Sequence, residues 1–144
     1  MKKFLFSLAT LGLLTLTTAC NDLPVAPAQL PQQITSFVQA NFPGQAITYA
    51  EKDLEWFTYK YDIVLANGIA INFDTDNQWD KINAGAVGVP AHLVPAPVAG
   101  YVKANFPTVA IMQIDKESYG YEVELATGLE LKLNHQGVLM EMDD

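Results

Sequence analysis

The chain has 144 residues, half of them hydrophobic and only 17% charged, with a formal net charge of −8. That length fits one compact domain or two very small ones, and that composition excludes a disordered acidic tail. Every basic residue is a lysine, and an acidic chain without arginine is a poor match for phosphate or guanine, which argues against nucleic acid as a partner.

Residues 1–19 read as a signal peptide. Lys2 and Lys3 form a positive start, and Phe4 to about Leu16 is an apolar stretch too short for an ordinary membrane span. This predicts export to the periplasm. Cleavage leaves 6 Lys against 16 acids, or −10. Cys20 is the sole cysteine, so it has no intramolecular disulfide partner. It stands where a bacterial lipoprotein is cleaved and acylated, although Leu16 lies one place early and Thr17 holds the usual Leu position. The other reading is ordinary cleavage after Ala19, through the small-residue spacing of Thr17 and Ala19. The first makes the protein a membrane-anchored lipoprotein lipidated at Cys20. The second makes it a soluble periplasmic protein. Residues 20–29 follow as a Pro-rich tether.

The remainder is a tandem repeat. At a shift of 64, Pro31, Ile34, Phe37, Val38, Ala40, Asn41, Phe42, Pro43, Ile47 and Lys52 fall on Pro95, Val98, Tyr101, Val102, Ala104, Asn105, Phe106, Pro107, Ile111 and Lys116. Past Lys52 the shift becomes 60, and Tyr61, Ile63, Leu65, Gly68, Ile71 and Phe73 meet Tyr121, Val123, Leu125, Gly128, Leu131 and Leu133. The first copy therefore holds four extra residues, around Leu54, Glu55, Trp56 and Phe57. The copies span 30–84 and 94–144, joined by a Gly/Pro-punctuated linker over 85–93, and together form one globular unit.

Each copy opens with a helix. Ile34, Phe37, Val38 and Phe42 make one apolar stripe at helical spacing, repeated by Val98, Tyr101, Val102 and Phe106. Pro31 and Pro95 suit the helix start, and Pro43 and Pro107 end it. Strands follow. Phe57, Tyr59, Tyr61, Ile63 and Leu65 alternate with mostly polar residues, as do Tyr119, Tyr121, Val123 and Leu125. Ile69, Ile71 and Phe73 repeat the pattern, and so do Leu129, Leu131 and Leu133. A two-residue turn at Asn67-Gly68 would set Ile63 opposite Asn72 and mix the faces. A three-residue loop with Gly68 left-handed sets Leu65 opposite Ile69 and Ile63 opposite Ile71, so register selects the longer loop. The same argument covers the loops ending at Gly128, Asn77 and Gly137. Beyond these loops the parity fails, because Ile82 and Met142 switch sides. The expected fold is α+β: helix plus four antiparallel strands, twice, with two helices on one face of a roughly eight-stranded antiparallel sheet.

The run Leu30-Pro31, Ile34, Phe37-Val38, Asn41-Phe42-Pro43, Ile47, Lys52, then Tyr61, Ile63, Leu65, Asn67-Gly68, Ile71, Phe73-Asp74, Asn77 and Trp79, resembles the PepSY-like family of small secreted bacterial proteins, also called beta-lactamase-inhibitor-like. The resemblance covers about residues 30–144 in both copies. It implies the repeat fold above, a periplasmic location and a protein-binding or inhibitory role, and it brings no catalytic residues. The chain departs from the family pattern at Asn77, where Gly is commoner, and at Leu139, which replaces the aromatic matched by Trp79.

No catalytic or metal constellation stands out. His92 and His135 lack ligand spacing to another His or Cys. Asp74, Asp76 and Asp80 suggest a calcium loop, but Trp79 stands at the loop's sixth position, where Gly belongs, and Gly85 at its twelfth, where Glu belongs. The chain is thus read as a non-enzyme without cofactor. The candidate protein-binding surface is the solvent face of the sheet with the extended first hairpin: Trp56, Lys60, Asp62, Asn72, Glu122, Glu124, Glu130 and Lys132. The register pairs Glu122 with Lys132 and sets Glu124 opposite Glu130, so two like charges either await a basic partner or a cation, or are kept apart by water. Trp56 is either an interface anchor or folds back over the sheet edge. The leading expectation is a secreted binding module that inhibits or regulates an envelope or secreted enzyme through the open sheet face. The alternative is a small-ligand-binding lipoprotein with a pocket between helices and sheet, against which Phe37, Phe42, Tyr59, Tyr61 and Phe73 argue by filling that space.

Overall fold

The computed structural model describes residues 22–144. The signal peptide and Cys20 lie outside these described residues. The helices are α1 (Gln32–Asn41) and α2 (Ala96–Asn105). The strands are β1 (Leu23–Pro24), β2 (Ile47–Glu55), β3 (Thr58–Leu65), β4 (Ala70–Phe73), β5 (Trp79–Asn83), β6 (Ile111–Glu117), β7 (Gly120–Leu125), β8 (Glu130–Asn134) and β9 (Leu139–Asp143). They form one antiparallel sheet in sequence order. Among the described residues the strand count is nine, not eight, because the tether contributes β1. Leu23 and Pro24 lie opposite Lys52 and Glu51. This short strand occupies the edge of β2 that β5 occupies on β6, since Lys81 lies opposite Asp115, the counterpart of Glu51. A two-residue strand carrying a proline is a poor template for further pairing, so that edge is blunted.

The string Ala-Asn-Phe-Pro is the helix exit in both copies. The amide of Phe42 donates to the carbonyl of Val38, and that of Phe106 to Val102. The Asn41 and Asn105 side chains donate to the carbonyls of Phe37 and Tyr101 at 2.8 and 2.9 Å. The asparagine thus adds a side-chain bond to a carbonyl in the last turn of the helix.

The three-residue loops form with the predicted register. Gly68 and Gly128 have φ of +87° and +90°, and Ile63 and Val123 face Ile71 and Leu131. The parity change after Trp79 is a bulge. Phe73 pairs with Trp79 but Asn72 pairs with Lys81, leaving Asp80 as the extra residue, and Ile82 returns to the core opposite Ile71. Met140 is the extra residue at the same place in the second copy. Matching bulges fall at Thr48 and Met112.

One row of directly opposed residues, Ala50, Ile63, Ile71, Ile82, Ile114, Val123 and Leu131, therefore crosses seven strands on the helix-covered face, and every member is buried. Ile34 and Val38 of α1 pack over its first half and Val98 and Val102 of α2 over its second. Trp79 and Val89 touch both clusters and join the copies. The Lys116 ammonium lies 3.5 Å from the centroid of the Trp79 ring and donates to the Trp79 carbonyl at 2.9 Å. Its desolvation against the ring lowers its pKa.

Candidate functional site

The opposite face of the sheet carries no helix, and the same bulges align its side chains. Glu51, Asp62, Asn72, Lys81, Asp115, Glu122, Lys132 and Glu141 are directly opposed, neighbour to neighbour, across β2 to β9. A second row runs beside it as Tyr49, Val64, Ala70, Asn83, Gln113, Glu124, Glu130 and Asp143. The first row holds five carboxylates and two lysines, and the second ends in three carboxylates side by side. The face thus carries one continuous polar row and a second that is apolar at Val64 and Ala70 and acidic at its far end, with negative charge concentrated on the second copy.

Six of the eight candidate residues fall in these rows: Asp62, Asn72, Glu122 and Lys132 in the first, Glu124 and Glu130 in the second. Lys60 lies one step outside them, opposite Asp53, and is ion-paired with Glu55. Trp56 stands apart at the hairpin tip. The second-copy residues also line a shallow depression with Gln113 and Asp115. The register puts Lys132 opposite Glu122, but its ammonium reaches the Glu141 carboxylate at 3.2 Å, while Glu122 accepts a hydrogen bond from the Tyr119 hydroxyl. That bond and burial together push the Tyr119 hydroxyl pKa well up, burial being the larger cause. Lys81 pairs with Asp115 at 3.1 Å, and Gln113 donates to Asp115 at 2.7 Å.

Glu124 stands opposite Glu130, and Glu130 opposite Asp143. Glu124→Lys is expected to raise the unfolding free energy by about 0.5 kcal/mol, as a like-charge cross-strand pair becomes an opposite one. Urea titration of the two proteins checks it, and a clear loss of stability would contradict the register.

Asp62 has its pKa raised from 3.8 to about 6, first by burial and then by Glu51 and Asp80 nearby. Burial and Asp74 raise Asp80 as well. Because the folded value of Asp62 lies above the unfolded one, the folded chain holds the extra proton between about pH 4 and about pH 6. Stability therefore falls as pH rises through that window. Asp62→Asn is expected to flatten this slope and to add about 1 kcal/mol at pH 7, because solvent around a half-exposed group screens most of the ~3 kcal/mol that the full shift would represent. Urea midpoints for both proteins at pH 4.5 and pH 7 measure it.

The extended hairpin projects rather than folding back. β2 and β3 have nine and eight residues against seven and six in β6 and β7, so the four extra residues add two to each strand. Trp56 and Phe57 form the turn and are 86% and 95% exposed. Trp56 has φ +57°, a left-handed conformation costly for a bulky residue. It adds no core burial in return.

Other candidates resolve into structural roles. Asp74 Oδ1 accepts from the amides of Asp76 and Gln78, both at 2.9 Å, and Asn134 Oδ1 does the same for Gln136 and Val138 at 2.9 and 3.0 Å. An uncharged amide oxygen suffices in the second copy, so the turn needs an acceptor and not a charge. The His92 ring contacts Asn41 Oδ1 at 3.0 Å, and the His135 ring contacts the Ser118 carbonyl at 2.9 Å. Between α2, the linker and the start of β6 lies an apolar groove of about 230 Å³, lined by Val89, Val94, Val102, Phe106, Val109 and Ile111 among others. In the first copy Phe37 packs against Phe42 and Phe73, with ring centroids 6.3 and 5.6 Å away, and Leu30 is buried where Val94 is only half-buried.

Residues that the repeat pattern alone does not reveal are Glu51, Lys81, Gln113, Asp115, Glu141 and Asp143. Their alignment depends on four bulges and on the pairing of β5 with β6 across the copies, which is a contact between non-homologous strands.

Among solved structures, the chain is similar to a "putative periplasmic protein from DUF2874 family" from Bacteroides vulgatus ATCC 8482, with 31% identity and a TM-score of 0.80, covering 88% of this chain and 99% of that one. A "putative calcium-regulated periplasmic protein" from Bacteroides thetaiotaomicron matches at 26% identity and TM-score 0.77, over 85% and 97% of the two chains. A "putative periplasmic protein of unknown function" from Bacteroides vulgatus ATCC 8482 matches at 26% and 0.78, over 85% and 99%. No curated protein matches. The family described as "Putative beta-lactamase-inhibitor-like, PepSY-like" matches residues 16–60 and 59–141, two segments that together run across both repeats. With both helix-and-four-strand units accounted for, the chain is a member of the PepSY-like, beta-lactamase-inhibitor-like family.

Proposed function

We propose that this protein is an exported, lipid-anchored binding module that holds a protein partner against its open sheet face and so inhibits or regulates an envelope or secreted enzyme. The observation that carries this reading is the polar row from Glu51 to Glu141 across the uncovered face, with the acidic end of the second row beside it, while the other face is packed under two helices. The family description and the periplasmic solved neighbours support it. The acidic rows favour a partner with a basic surface, whose association would weaken with salt. Lys60, Asp62, Asn72, Glu122, Glu124, Glu130 and Lys132 are the assigned contacts. This reading is non-catalytic and gives Asp74 a structural role, its Oδ1 accepting the turn amides.

Affinity capture from envelope extract with the mature chain, beside a Glu124→Lys/Glu130→Lys variant, tests the face. The expected result is a partner retained by the natural chain, released by salt and lost with the variant. An identical capture by both proteins would sink the assignment. A mass spectrum of the mature N-terminus tests the lipid on Cys20.

The second reading, an apolar ligand in the groove beside α2, is carried by that groove alone. Its volume is below the roughly 300–1,000 Å³ of typical small-molecule pockets. Native mass spectrometry of the protein as purified would show a bound apolar molecule if this reading holds.

A further inference from the structure

We propose that the Trp56–Phe57 tip enters the membrane interface beside the lipid on Cys20, so that the domain is held at two points. This rests on the anchoring of Cys20 proposed above.

The topology turns the N-terminal end of β1 toward the tip. β2 runs toward the tip, and β1 runs antiparallel to it with Leu23 opposite Lys52. Leu23 is therefore the end of β1 nearer the tip. Trp56 lies four residues beyond Lys52, about 13 Å along an extended strand. Cys20 lies three residues before Leu23, a span of at most roughly 10 Å. The chain length from Leu23 to Cys20 thus nearly matches the distance to the level of the aromatic pair.

The surface at that end suits an interface. Trp56 and Phe57 are almost wholly exposed, and Leu23 and Leu54, beside them on β1 and β2, are exposed as well. The counterpart turn in the second copy is Ser118-Tyr119, and two extra residues per strand carry the first tip about 7 Å beyond it. Tryptophan is enriched at membrane–water boundaries because its ring is apolar while its N–H stays hydrated. Glu55 and Lys60, directly behind the tip, neutralise each other. Asp22 and Asp53 lie nearby, so the contact is apolar and not an attraction to anionic lipid. Held this way, the strands stand upright on the bilayer and the acidic face looks sideways, open to a partner in the envelope.

The test uses lipoprotein purified from the membranes of a Gram-negative host and reconstituted in phosphatidylethanolamine–phosphatidylglycerol vesicles. Part of the lipid is brominated near the headgroup end of the acyl chains. Trp56 and Trp79 are the two tryptophans, and Trp56→Phe isolates the Trp79 background. The expected result is a diacylglyceryl mass on Cys20 and a roughly twofold or greater quenching of the Trp56 emission, with little quenching in Trp56→Phe and no dependence on salt. Acylated, vesicle-bound protein whose Trp56 emission ignores brominated lipid overturns the tip contact and leaves the anchor standing. An unacylated Cys20 overturns both. Shielding of Trp56 only when envelope extract is added assigns the tip to a protein partner and also overturns the proposal.

Discussion

Phe73→Ala is expected to lower the unfolding free energy by about 3–5 kcal/mol. Phe73 is 1% exposed at the end of β4, and its ring meets Phe37 edge-on at 5.6 Å. Deleting it loses the transfer free energy of the ring and leaves a cavity under α1. The neighbours cannot close that cavity, because Ile63, Ile71 and Ile82 are held by the sheet ladder. The second copy supplies its own comparison. Leu133 stands at the equivalent place and is equally buried, so Phe73→Leu should cost much less, on the order of 1 kcal/mol. Urea unfolding followed by far-UV circular dichroism separates the two variants. A loss under about 1 kcal/mol for Phe73→Ala would contradict the assignment of Phe73 as the keystone of the first core.

Gly120→Ala is expected to be at least as damaging, about 3 kcal/mol or more, beyond the usual over-packing range. Gly120 opens β7 at φ +151°, and a Cβ there would stand 2.1 Å from the Leu133 carbonyl oxygen and 2.5 Å from the Asn134 carbonyl carbon. Both obstacles are backbone, so no side-chain rotation relieves the clash and β7 must separate from β8. Gly128→Ala is the control. Its φ is also positive, at +90°, but no atom lies within 4 Å of the added carbon, and backbone strain alone predicts a loss of about 1 kcal/mol. Thermal melts of the two variants should differ widely. Similar values would mean that φ, and not the approach of β8, sets the cost.

These residues also show which parts of the molecule local patterns could reveal. Helix stripes and strand alternation are short-range, and each hairpin register follows from keeping Ile63 with Ile71 or Val123 with Leu131 on one face. A slip by one residue would expose the whole set, which is a penalty large enough to read from the pattern. The charges on the open face carry no such penalty. Glu51, Asp115 and Glu141 could point to water in several registers at little cost. Their alignment with Asp62, Glu122 and Lys132 comes from bulges at Thr48, Asp80, Met112 and Met140 and from the seam between β5 and β6. Lys132 illustrates the limit: its partner by hairpin pairing is Glu122, but β9 brings Glu141 within reach and takes the ammonium.

By itself, then, the sequence determined the repeat, the helix exits, the hairpin loops and the α+β class, because each rests on periodicity or on backbone geometry within a few residues, while the family came from the resemblance of its motifs. The tertiary structure decided that the tether becomes a ninth strand, that Ile82 returns to the core through a bulge, and that scattered charges become two rows. It also decided that Trp56 projects while Trp79 is the joint between the copies. Both are tryptophans beside strand ends, and only the surrounding packing separates the exposed one from the one clamped under Lys116.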